Sequence, residues 1–75
     1  MSQRHRALDT FGQNIRKHRT EKGLSQEALA DKADLDSTYI SGIERGLRNP
    51  GIKNVAKIAK ALGITTSELC EGVES

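Results

Sequence analysis

The chain has 75 residues, enough for one small domain, with one Pro, one Phe, one Tyr and no Trp. Ala, Leu, Ile, Lys and Glu recur at helical spacing and strand-type alternation is absent, which argues against a sheet and for an all-α bundle. The single cysteine, Cys70, rules out an intrachain disulfide and fits a reducing, cytoplasmic setting, and no apolar run approaches transmembrane or signal-peptide length. A chain this short buries a small core, so its packing must be efficient or helped by a partner.

Residues 1–6, MSQRHR, carry no apolar pattern and read as a disordered tail, with a basic arm on a polyanion as the functional alternative. A first helix is expected over residues 7–22, where Leu8, Phe11 and Ile15 form a stripe at steps of three and four and Gly23 supplies the left-handed stop. Ser25 can cap a second helix over residues 26–33 with Leu29, Ala30 and Ala33 inward. After a break at Asp34-Leu35-Asp36, Asp36 can cap a third helix over residues 37–45, with Ile40 and Ile43 inward and Gly46 as its stop. Asn49-Pro50-Gly51 reads as a turn. A fourth helix over residues 52–62 would turn Ile52, Val55, Ile58, Ala59 and Leu62 inward and stop at Gly63. Thr65 and Glu68 have capping-box spacing, so a short fifth helix starts near Thr66 and fades by about Gly72.

Two short helices joined by a tight turn leave the outer face of the second one prominent. Positions 37, 41 and 45 recur at four-residue steps and share one face, so Ser37, Thr38, Ser41 and Arg45 are candidates to read base edges in a DNA major groove. Hydroxyls discriminate weakly alone, and a capping or solvated hydroxyl is the lesser alternative for each. Arg45 could grip a guanine bidentately or hold a phosphate. Net charge is only +2, but its distribution is uneven: +4 over residues 1–22, −4 over 23–44, +5 over 45–60 and −3 over 61–75. Solvated helix faces are the plain reading of such runs. Because the second basic block directly follows the groove-facing helix, contact with phosphates is favoured, from Arg48, Asn49 and Lys53. Tyr39 could donate its hydroxyl to a phosphate, pack against the following loop, or do both.

The pieces GQNIRKHRTEKGLSQEALADKA, LDSTYISGIERG, RNPGIKNVAKIAKALGI and TTSEL stand in an order that resembles the phage-repressor-like (Cro/CI, or XRE-type) helix-turn-helix family, over about residues 11–69. The stretch DSTYISGIERGLRN looks especially like restriction–modification controller proteins. The resemblance implies a compact five-helix, lambda-repressor-like bundle with the helix-turn-helix in helices 2 and 3. It implies that Gln26 anchors a phosphate at the start of helix 2, where free N–H groups and the dipole also suit an anion. It further implies that Arg19 of helix 1 pairs with Glu44 of helix 3. Two departures stand out. Ser37 occupies a place where Arg or Gln is common in relatives, and Asp34 one where Gly usually supplies a left-handed turn.

His5, His18 and Cys70 are not spaced as a ligand set, no glycine-rich phosphate loop precedes a helix, and no triad is marked, so neither catalysis, metal nor cofactor is expected. With no sensor domain, no small-molecule ligand is expected either. The resulting expectation is a sequence-specific DNA-binding transcription regulator acting as a homodimer on two half-sites. An antitoxin-like protein-interaction module and a non-specific nucleoid binder are the rivals. Ile64, Leu69, Cys70 and Val73 are candidates for the dimer interface, although Ile64 and Leu69 could instead complete the core.

Overall fold

The computed structural model describes residues 6–74. Its elements are α1 (Arg6–Glu21), α2 (Gln26–Ala33), α3 (Ser37–Glu44), α4 (Ile52–Leu62) and α5 (Thr66–Leu69), an all-helical order with no strand among the described residues. Residues 1–5 of the expected tail lie outside the described residues. Arg6, assigned to that tail, opens α1 instead. None of these helices is long and apolar enough to cross a membrane.

The caps are those the side chains dictate. The Ser25 hydroxyl accepts from Ala28 N–H at 2.9 Å, and the Asp36 carboxylate accepts from Thr38 N–H at 2.8 Å. At α5 the capping box is closed in both directions: Glu68 N–H donates to Thr65 Oγ1 at 3.0 Å and Thr65 N–H to Glu68 Oε1 at 2.9 Å. The first four helices close with one hydrogen-bond pattern. After α3, Leu47 N–H reaches Gly42 O at 2.9 Å and Gly46 N–H reaches Ile43 O at 3.0 Å, with Gly46 at φ 74°. Gly23 and Gly63 do the same after α1 and α4. After α2 the left-handed place is filled by Asp34 at φ 58°, and Leu35 N–H still bonds Ala30 O at 2.8 Å. The Gly-to-Asp departure therefore keeps the turn.

The core is one cluster. Phe11 and Ile15 come from α1, Leu29, Ala30 and Ala33 from α2, Ile40 and Ile43 from α3, Val55, Ile58, Ala59 and Leu62 from α4, and Leu69 from α5. Ile52 does not join it and remains 80% exposed. It opens α4 one turn ahead of Val55, where the inner stripe first enters the core, so Ile52 is left beyond the rim. Leu8 is only half-buried. The third helix ends at Glu44 rather than Arg45, which forms its C-cap at φ −87°. The fifth ends at Leu69, because Cys70 caps it and Gly72 turns left-handed at φ 77°.

Gly12 sets the distance between α1 and α3. It is buried, and a Cβ there would collide with Ile43 O and lie 2.7 Å from Glu44 O. The backbones of the two helices thus meet at the last turn of α3, closer than any side chain allows.

Candidate nucleic-acid interface

The interface is built outward from a polar knot behind α3. Arg19 Nε donates to Glu44 Oε2 at 2.6 Å, and its Nη2 donates to Glu44 Oε1 at 3.0 Å. Its remaining terminal nitrogen, Nη1, donates to Leu24 O at 2.8 Å. Gln26 Nε2 donates to Glu44 Oε1 at 3.1 Å. The side chains of Arg19 and Glu44 are 12% and 3% exposed. A planar fork facing a carboxylate gives two parallel charge-assisted bonds and therefore a fixed direction. The hydrogen bond to Glu44 holds the Arg19 guanidinium above its ordinary pKa, outweighing burial, which acts the other way. One knot therefore ties α1, the α1–α2 turn, the start of α2 and the end of α3. No buried side-chain nitrogen or oxygen among the described residues is left without a partner.

In front of this knot lies an open cleft lined by Arg19, Ser25, Gln26, Glu27, Ser37, Thr38 and Ser41. Gln26 is half-buried, with one amide N–H engaged by Glu44. A phosphate contact of the kind expected of Gln26 would have to use the rest of the amide and the N-terminus of α2. Thr38 and Arg45 are exposed, while Ser37 and Ser41 are half-buried on the same side of α3. Arg48, Asn49 and Lys53 are all exposed on the α3–α4 connection and the start of α4. Tyr39 is half-buried against the core, and its hydroxyl oxygen accepts from Asn54 Nδ2 at 3.0 Å. Its own O–H stays available to donate. The Arg48 guanidinium lies over the Tyr39 ring, 5.3 Å from its centroid. Packing and a polar hydroxyl thus coexist at Tyr39.

Some residues that matter here carry no signal in a one-dimensional reading. Gly12 and Gly42 act by lacking a side chain where something else passes. Asn54 supports Tyr39 from another helix. Asn14 Nδ2 donates to Leu69 O at 2.9 Å and Glu71 O at 2.8 Å, fastening the end of α5 to α1. Spacing identifies none of these partners: most lie far apart in sequence, and Arg48, six residues after Gly42, reaches it only because the loop after α3 folds back.

The proposed dimer residues divide. Leu69 is fully buried in its own chain's core and cannot offer its side chain to a second copy, which corrects that expectation. The capping box and the Asn14 clamp aim it inward. Ile64, Cys70 and Val73 are partly buried against the core. Cys70 and Val73 line an apolar groove with Ala7, Leu8, Phe11, Asn49, Pro50 and Val55. No group of three or more His, Cys, Asp or Glu among the described residues could hold a metal ion.

Comparison with known proteins converges on one family. A helix-turn-helix family model matches residues 15–69. The control protein C.MunI of a Mycoplasma species is 51% identical over 65 residues, covering 85% of this chain and 88% of the relative. The control protein C.BamHI of Bacillus amyloliquefaciens is 50% identical over 62 residues, covering 81% and 76%. The crystal structure of the restriction–modification controller protein C.AhdI from Aeromonas hydrophila superposes with a TM-score of 0.82 at 52% identity, covering 83% of this chain and 94% of that one. The chain belongs to the XRE-type helix-turn-helix family of DNA-binding transcription regulators.

Proposed function

We propose that this protein is a controller-type regulator that binds a two-half-site operator as a cytoplasmic homodimer, one α3 in each of two major grooves about a helical turn apart, roughly 34 Å. The observation that carries this reading is the shared cleft of α2 and α3. The outer side chains of α3 stand beside the free N–H groups of α2, with the exposed cations of the next loop and α4 following. In this reading Ser37, Thr38, Ser41 and Arg45 meet base edges, while Gln26, Tyr39, Arg48, Asn49 and Lys53 hold the sugar-phosphate backbone. Its strong similarity to controller proteins supports a role beside restriction–modification genes. Ile64, Cys70 and Val73 are the remaining dimer candidates, with Leu69 set aside.

Three short polar side chains and one arginine read few bases by direct bonds. The small Ser37 therefore shifts discrimination toward water-mediated contacts, methyl contacts and DNA shape. The test is selection of bound sequences from a random DNA pool, followed by a panel of single-base changes in the selected site. Thr38→Ala and Arg45→Ala should each lose preference at one base pair, by about 1–3 kcal/mol. Affinity that falls equally across the panel for both variants would remove α3 as the reading element. A pool that yields no shared sequence favours the nucleoid-type alternative, and a stoichiometric foreign protein on the purified chain favours the antitoxin-type one.

A further inference from the structure

Gly42 sits inside α3, three residues after Tyr39 and so on the same side of that helix. Helix interiors disfavour glycine more than any residue but proline, so local preference does not explain it. The explanation lies six residues further on, in the loop that follows α3. Arg48 folds back over α3, and a Cβ built on Gly42 would fall 2.6 Å from Arg48 Cγ, well inside contact distance. Beyond that crossing the guanidinium rests over the Tyr39 ring at 5.3 Å, and the Tyr39 hydroxyl is held by Asn54 of α4 at 3.0 Å. The stretch that delivers Arg48 is itself tied down, by Leu47 N–H to Gly42 O and Gly46 N–H to Ile43 O.

We propose that Gly42 is a positioning residue whose missing side chain forms the slot through which Arg48 reaches Tyr39, so that the Arg48 guanidinium is presented to DNA in one place. The proposal rests on the reading above, in which Arg48 touches DNA. A long side chain ordered before binding loses less freedom on binding, and an arginine fork aimed in advance gives up less per bond. A single methyl at position 42 must push the Arg48 stem out of the slot, because the stem's second carbon is what it meets. The same methyl improves the intrinsic helix propensity of α3. Affinity and fold stability are thereby set in opposition, which a purely structural role for Gly42 does not produce.

The test is a double-mutant cycle on the selected operator with wild type, Gly42→Ala, Arg48→Ala and the double variant, alongside thermal melting and the salt dependence of binding. Gly42→Ala should melt no lower than wild type yet bind on the order of tenfold more weakly, with a salt slope lower by about one unit, as for Arg48→Ala. The double variant should bind no more weakly than Arg48→Ala alone. A DNA-free readout runs in parallel: Tyr39 is the chain's one tyrosine, and its ring proton resonances should move in the same direction in Gly42→Ala as in Arg48→Ala. Unchanged Tyr39 resonances in Gly42→Ala overturn the slot, even if that variant proves less stable. Full affinity of Gly42→Ala beside a weakened Arg48→Ala overturns the positioning role, and so does a Gly42→Ala loss that persists undiminished without Arg48. Full affinity of Arg48→Ala removes Arg48 from the DNA-contact reading itself and the positioning role with it, while the Tyr39 resonances still report on the slot.

Discussion

Arg19 ties three parts of the fold together through one side chain. Its three engaged nitrogens reach Glu44 and Leu24, and Glu44 in turn receives Gln26. Removing the guanidinium leaves a 3%-exposed carboxylate side chain with only a neutral amide for company. Arg19→Ala should therefore cost about 3–5 kcal/mol in chemical denaturation and loosen the seat of α3. Unaltered stability and unaltered DNA affinity together would show that the knot holds nothing. Asp34 tests the opposite sign. It holds φ 58° where glycine has no Cβ penalty, and no glycine is present to relieve it. Asp34→Gly should stabilise the fold by up to about 1 kcal/mol, read as a higher denaturation midpoint with unchanged slope.

At the scale of elements, the meeting of α1 and α3 is decided at Gly12. A methyl there strikes the Ile43 and Glu44 carbonyls, which are backbone and cannot rotate aside. Gly12→Ala should cost about 1–3 kcal/mol and, by prying α3 from α1, weaken DNA binding more than its effect on stability alone accounts for. Binding and melting both at wild-type level would show that the helices can separate freely. At α5, the Thr65 backbone N–H first, and its hydroxyl second, hold the exposed Glu68 carboxyl below its ordinary pKa. A depressed folded pKa means that this cap's stability is present above the unfolded carboxylate pKa and is lost as pH falls through the folded one. Glu68→Ala should therefore lie below wild type in stability at neutral pH, with the gap closing in acid. A gap that stays constant from neutral pH into acid would mean that the carboxylate is not what caps α5.

For the whole molecule, charge arrangement matters more than the total of +2. The block of five cations and no acid over residues 45–60 falls on the α3–α4 connection and α4, next to the proposed reading helix. Lys53→Ala and Arg48→Ala should weaken all DNA sequences alike and lower the salt slope by about one unit each, whereas Gln26→Ala should weaken binding with little change of slope. Titration at two salt concentrations separates these. A Lys53→Ala protein with the wild-type slope would take that lysine off the backbone.

Much of this was legible in one dimension because it depends on neighbours a few residues apart. Helical stripes, the caps at Ser25, Asp36 and Thr65, and the glycine stops all follow from local geometry, and four of the five helix starts are where those signals put them. The pairing of Arg19 with Glu44 was legible only through family resemblance, since nothing in either residue's own surroundings names the other. Tertiary structure alone decided the rest. Leu69 goes wholly inward, Ile52 is left at the rim, Gly12 and Gly42 make room for a carbonyl and an arginine stem, and Asn54 meets Tyr39. Most of these depend on where one helix crosses another, and the Gly42 slot on how the loop after α3 folds back over it. A local pattern fixes which face of a helix is apolar, but how far along that face the neighbour reaches is set by the packing of all five helices together.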